Sequence, residues 1–337
     1  MSPLDQLLQA RTERERNAAL KGWTKVHGPV FEFMVTINQP GVVALLVPAD
    51  RFAELLEAYQ RSRHHYLKQL SEQLPQLSFD NDEFEYHLLV YSLAEHLEGD
   101  LEPIRPIMEK MLLEKDTEIM GVATKLFERM GVNCWASWPV IRKAFACQGM
   151  WESPFHLGNA VAATVREKPD RLEAIRTALQ AGKEKEQQAL CHVLVELGPL
   201  ANPLTDDVIR ITLTPSASPD TISCAIMALG YLGEKNAEIS AILRHAIGSE
   251  HWFVRANAIA SAGQLRLEPE MFVPLIIQRL QDDFGYDGWS ASNAAVKALG
   301  QYGPDARIAR EPLIVLQNST DDEDMQKAIS EALTPIR

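Results

Sequence analysis

The chain has 337 residues, 46% hydrophobic and 23% charged, with 33 Lys plus Arg against 46 Asp plus Glu and a formal net charge of -13. This is the balance of a globular protein, and so acidic a surface repels phosphate backbones, which excludes nucleic acid as a partner where no basic patch overrides the total. No run of about 18 apolar residues occurs, so no segment reads as membrane-spanning.

The first twenty residues carry acidic and basic side chains throughout and no apolar core of a signal peptide. Four cysteines, Cys134, Cys147, Cys191 and Cys224, are scattered without a CxxC pair. They read as reduced thiols of a cytosolic protein. Residues 1–80 read as an N-terminal cap segment. Within it, two β-rich runs around the turn signal Asn38-Gln39-Pro40-Gly41 predict a hairpin over 30–47, and a long helix is expected over 49–74. The passage Val42-Val43-Ala44-Leu45-Leu46-Val47-Pro48 with Phe52 and Leu55-Leu56 resembles the hairpin-to-helix passage of Phd-type antitoxins over some 25 residues.

Residues 81–337 follow a different rule. A helix ending in a Leu/Gly tag returns at positions 99, 131, 168, 198, 233, 266 and 303, with clear copies at Val195-Glu196-Leu197-Gly198, Ala228-Leu229-Gly230-Tyr231-Leu232-Gly233 and Ala298-Leu299-Gly300-Gln301-Tyr302-Gly303. A period of about 34 residues implies stacked helix pairs. A helix over 83–98 pairs with 49–74. The later pairs are expected at 101–114 with 117–130, 136–147 with 154–166, 169–181 with 184–197, 203–214 with 219–232, 235–247 with 252–265, 269–281 with 289–302, and 306–317 with 321–335, about eight units in all. The fold class is an all-α solenoid behind a small hairpin-containing N-terminal segment.

Counting back from each tag separates the helix faces. Residues 8, 7, 4 and 1 before the tag are apolar, as in Ala225, Ile226, Leu229 and Leu232, and form one helical stripe that reads as core. Residues 10, 6 and 2 before the tag form the opposite stripe: Gln188, His192 and Glu196; Ser223, Met227 and Tyr231; Ala256, Ala260 and Gln264; Asn293, Lys297 and Gln301. Two long turns, 148–154 and 282–289, stretch the period to 37 and carry Trp151, Phe284 and Tyr286 as further candidate contacts. Trp252 and Trp289 share the offset 14 before the tag, which points to packing between repeats.

No motif of nucleophilic, nucleotide-binding or metal-dependent catalysis is present, so neither catalytic residues nor metal ligands nor a cofactor are assigned. Asp282, Asp283 and Asp287 lack the spacing of a calcium loop. His192 and Glu196, one turn apart, are the one arrangement open to acid/base work.

The segment Glu250-His251-Trp252-Phe253-Val254-Arg255-Ala256-Asn257-Ala258-Ile259-Ala260 resembles the HEAT motif in the short form found in phycobilin lyases. The resemblance extends over about 250 residues, although the copy around Trp289 lacks the Arg. It implies that the second helix of each pair lines a concave surface, and hence a protein-binding scaffold with the 10-6-2 stripe as its face. The acidic charge and the antitoxin-like opening make the narrower expectation a bacterial immunity or toxin-neutralising protein acting on a basic toxin or effector. The alternative that the resemblance implies is a cofactor-loading lyase using His192, Glu196 and Tyr231. A DNA glycosylase of HEAT-like build would need a basic face.

Overall fold

The computed structural model describes residues 31–36, 42–47, 101–102, 105–113, 117–147, 153–282, 285–286 and 289–336. Two strands, β1 (Phe31–Thr36) and β2 (Val42–Val47), pair antiparallel in the register Phe31↔Val47 to Thr36↔Val42. The helices expected over 49–74 and 83–98 lie outside the described residues, as do Trp151 and Phe284.

From residue 105 onward the chain runs as helix pairs. They are α1 (Arg105–Met111) with α2 (Thr117–Met130), α3 (Trp138–Cys147) with α4 (Ser153–Glu167), α5 (Leu172–Ala181) with α6 (Glu184–Leu197), and α7 (Thr205–Thr212) with α8 (Pro219–Leu232). There follow α9 (Ala237–Ala246) with α10 (Trp252–Leu265), α11 (Pro269–Ile277) with α12 (Ala291–Tyr302), and α13 (Arg310–Ser319) with α14 (Glu323–Leu333). This is the all-α solenoid that the tag period implies. Its helix starts are chemically marked: Ser218, Asn236, Ser290 and Asp322 each accept a backbone N–H of the first turn, and Pro219 and Pro269 stand at first helical positions.

The tag itself is a helix stop. Gly131, Gly198, Gly233 and Gly303 have positive φ of 53°, 55°, 81° and 59°, and Arg266, at 48°, shares the left-handed conformation of Gly233. Glycine adopts that geometry without a Cβ penalty, so the chain can leave the helix there and turn into the next pair. Lys168 departs from the pattern, with φ of -129°.

Two compact units divide the chain, Met1–Ala144 with Met150–Ala160, and Phe145–Gly149 with Val161–Arg337. In the first, Glu128 is held between His156, whose Nδ1 lies 2.6 Å from one carboxylate oxygen, and Asn159, which donates to the other at 2.9 Å. Trp135 stacks on Trp138 with centroids 4.9 Å apart. In the second, the 8-7-4-1 stripe is core: Ala225, Ile226, Leu229, Leu232, Ala295, Val296, Leu299 and Tyr302 are all buried. The Tyr302 hydroxyl sits 2.7 Å from the Leu267 carbonyl and 3.0 Å from that of Ala262, and burial pushes its ionisation far up.

Several helices begin two to four residues later than their sequence patterns, α5, α7 and α13 because a 3-10 segment precedes them, and α12 for a different reason. Residues 289–290 form β4 (Trp289–Ser290), which pairs with β3 (Gly285–Tyr286) through Tyr286↔Trp289, and α12 starts only at Ala291. Ser290, buried at the end of β4, caps the helix through Asn293 N–H at 3.1 Å.

Candidate functional site

Within the second unit the second helices pack as consecutive neighbours, α6 on α8, α8 on α10, α10 on α12 and α12 on α14. What lets them approach closely is a second glycine in the tag, three residues before its end. A Cβ on Gly230 would meet Ser261 Cβ at 2.7 Å and its Cα at 2.8 Å. One on Gly263 would meet Ala298 Cβ at 2.6 Å, and one on Gly300 would meet Ala332 Cα at 3.0 Å. Ser261 and Ala298 both stand five residues before their own tags, so a small residue at offset 5 docks on the glycine at offset 3 of the preceding repeat. Close-packed backbones leave little freedom, so the layer presents a preformed face.

The stripe of candidate residues is sorted by this packing. At offset 10 the side chains turn into the neighbouring helix. Gln188 donates to Thr221 Oγ1 at 2.9 Å, while buried Ser223 accepts from Asn257 Nδ2 at 2.7 Å and donates to the Phe253 carbonyl at 3.2 Å. Ala256 is buried, and Asn293 is half-buried. A row of residues four apart drifts about 40° per step around a helix of 3.6 residues per turn, so its far end rotates into the inter-helix seam.

Offsets 6 and 2 make the accessible surface. His192 and Met227 are half-buried, and Ala260 and Lys297 are exposed; one turn on, Glu196, Tyr231 and Gln264 are exposed and Gln301 is half-buried. Tyr231, 47% exposed, is a large aromatic presented to solvent. The offset-2 row is joined laterally: the Arg166 guanidinium donates to the Glu196 carbonyl and lies 4.0 Å from its carboxylate, and Gln301 Nε2 reaches Gln264 Oε1 at 3.5 Å. Arg166 also stands two residues before a tag, at Lys168, and belongs to the row although the sequence pattern did not single it out. Of the long-turn candidates, Tyr286 lies in β3.

Electrostatically the row is quiet. Burial pulls His192 below the usual imidazole range, so the ring is neutral, and its Nε2 is 4.0 Å from Cys224 Sγ. Burial, assisted by Asp220, pushes the Cys224 thiol up to about 12, and burial holds Cys191 well above an ordinary thiol. Both are protonated near neutrality. Among the described residues no group of three His, Cys, Asp or Glu side chains is arranged to hold a metal ion. Asp282 instead takes a bidentate grip from Arg255, with Nε to Oδ2 at 2.6 Å and Nη2 to Oδ1 at 2.9 Å, while Arg255 Nη1 also donates to the carbonyls of Ser249 and Glu250. The Val-Arg of the repeat motif is thus a staple to the next pair.

No helix among the described residues is long and apolar enough to cross a membrane. No family model matches the chain, and no curated protein matches it in sequence. Solved structures do match in fold. The karyopherin Kap121p bound to Pho4p superposes with a TM-score of 0.54 at 12% identity, over 99% of this chain and 41% of that one. Kap121p bound to the extreme C-terminus of the protein phosphatase Cdc14p gives 0.53 at 10% identity, with the same coverage. Kap121p bound to the SUMO protease Ulp1p gives 0.52 at 11%. The chain therefore spans about 41% of the length of those karyopherins, and the likeness establishes a HEAT-repeat solenoid fold.

Proposed function

We propose that this chain is a non-catalytic scaffold that binds a protein partner along the second-helix face of its second unit. The observation that carries the reading is the face itself: a row of exposed Tyr231, Ala260, Gln264 and Lys297 on helices whose backbones are locked by Gly230 and Gly263. A rigid face with an exposed aromatic anchor loses little entropy on docking, which suits recognition of a protein. The three Kap121p complexes, each with a protein bound, favour the same use of the fold.

The narrower reading is a toxin-neutralising protein. Its support is the net charge of -13, which steers a basic protein toward the chain. Co-expression with the product of the adjacent gene, followed by pull-down and a growth assay, tests both levels. Capture that weakens in Tyr231→Ala supports the scaffold, and rescue of growth supports neutralisation. The absence of both capture and protection overturns the reading. For a lyase, His192, Glu196 and Tyr231 would have to supply acid and base; burial pulls His192 below the usual imidazole range, which leaves it a base and removes it as the acid near neutrality. Unchanged bilin absorbance on incubation with the protein is the expected result.

A further inference from the structure

The charges of this acidic chain are unevenly placed. Across α8, α10 and α12 the sole carboxylate is Asp220, in the first turn of α8, exposed and about two turns before Met227 along the same side of the helix. The cations of these helices are Arg255, bound to Asp282, and Lys297, which is exposed at offset 6. Toward α6 the row ends in the Arg166–Glu196 pair, which is neutral in sum, and in the neutral ring of His192. The central face is therefore apolar at one side, with half-buried Met227 and exposed Tyr231 on α8; shallow in the middle, at Ala260 with Gln264; and positive at the other side, at Lys297 with Gln301. On these three helices the rows at offsets 6 and 2 carry no carboxylate.

We infer that the central second-helix face takes a partner segment that pairs an aliphatic side chain, seated on Met227 and Tyr231, with a carboxylate that reaches Lys297. The inference rests on the scaffold reading and names the chemistry of its partner. Helix axes pack about 8–10 Å apart, so two intervals from α8 to α12 span roughly 16–20 Å. An extended chain advances about 3.3 Å per residue and alternates its side chains between two faces, which separates the aliphatic and acidic side chains by about six positions, an even number that keeps both on the face toward the helices. Between them the segment crosses Ala260, where a small side chain leaves room for backbone and Gln264 offers an amide to its N–H and C=O groups. Apolar burial supplies affinity, and the single cation fixes direction and register.

The test is selection of a displayed library of random twelve-residue peptides on the full chain, repeated on Lys297→Glu and Tyr231→Ala, both at exposed positions and checked for native melting. Enriched peptides should carry an aliphatic residue and an Asp or Glu about six positions apart. Lys297→Glu should lower their binding about tenfold or more and shift selection to Lys or Arg at the acidic position; Tyr231→Ala should lower binding by a similar factor. Enriched peptides that are basic, or that are indifferent to both substitutions, overturn this partner chemistry and leave the scaffold reading standing. Failure to enrich any peptide on the native chain overturns both.

Discussion

Between α5 and α7, neighbouring first helices are joined by charge. The Asp207 carboxylate, 8% exposed, sits 3.3 Å from Arg176 Nε, 3.1 Å from Arg210 Nη1 and 2.8 Å from Gln180 Nε2, while Arg176 also reaches Glu173 and the Pro203 carbonyl. Between α8, α10 and α12, neighbouring second helices are joined by the absence of side chains, through Gly230 on Ser261 and Gly263 on Ala298. The same repeats thus use two different couplings in their two layers. Ion pairs tolerate water and variable spacing, so they suit a polar layer; backbone contact demands small residues, and what remains exposed between the contacts is a rigid face with Lys297 as its one charge. Charge segregation is a consequence of how the layers are packed.

That contrast can be broken in several ways. The largest effect is expected from Gly263→Val, whose branched side chain has no space against the Ala298 backbone; a loss of about 3 kcal/mol or more in urea unfolding is expected. A loss below about 1 kcal/mol would mean that the second helices are not backbone-locked. Next comes the charge coupling. Arg255 and Asp282 are 12% and 15% exposed, and Asp282→Ala, which strands the guanidinium, should cost about 2–3 kcal/mol. Removing both partners, in Arg255→Met with Asp282→Ala, should cost less than the sum of the two single changes, the coupling signature of a pair. Equal additivity would assign Arg255 a packing role instead.

A smaller, stabilising effect sharpens the reading of the tag. Arg266 takes the left-handed geometry that glycine fills at Gly233, so Arg266→Gly should raise stability by about 0.5–1 kcal/mol, seen as a higher melting temperature. A drop would show that the Arg266 side chain compensates for its backbone. Smallest of all, Lys297→Glu on the exposed row should change stability by less than about 0.5 kcal/mol while altering peptide selection. A large loss of stability would make Lys297 part of the fold and remove it from the face.

Much of this was legible in the chain. Helix pairs from α1 to α14 fall close to their predicted spans, because period, caps and left-handed glycines are local signals written in consecutive residues. The core stripe followed for the same reason. Offset 10 did not stay on the exposed face, because a four-residue row spirals and only the neighbouring helix reveals where it sinks: Gln188 and Ser223 bond across the seam. The recurring inner glycine, Gly230, Gly263 and Gly300, was visible in the tag as a letter, and the small residue at offset 5 could have been paired with it by aligning repeats. The start of α12 lies two residues beyond its expected position because Trp289 and Ser290 pair as a strand with Gly285 and Tyr286, a contact that helical periodicity does not register.

Sequence alone therefore determined the repeat, the helix boundaries and the buried stripe, each fixed by the 3.6-residue period and by backbone preferences within one repeat. The tertiary structure decided which polar residues are spent on holding repeats together and which are left for a partner. Asp282 became a staple for Arg255, Asp207 a node for two arginines, and Tyr231 with Lys297 remained on the surface. Those roles depend on contacts about 30 residues apart in the chain, where no local preference reaches and only the packing of one helix on the next assigns a side chain its neighbour.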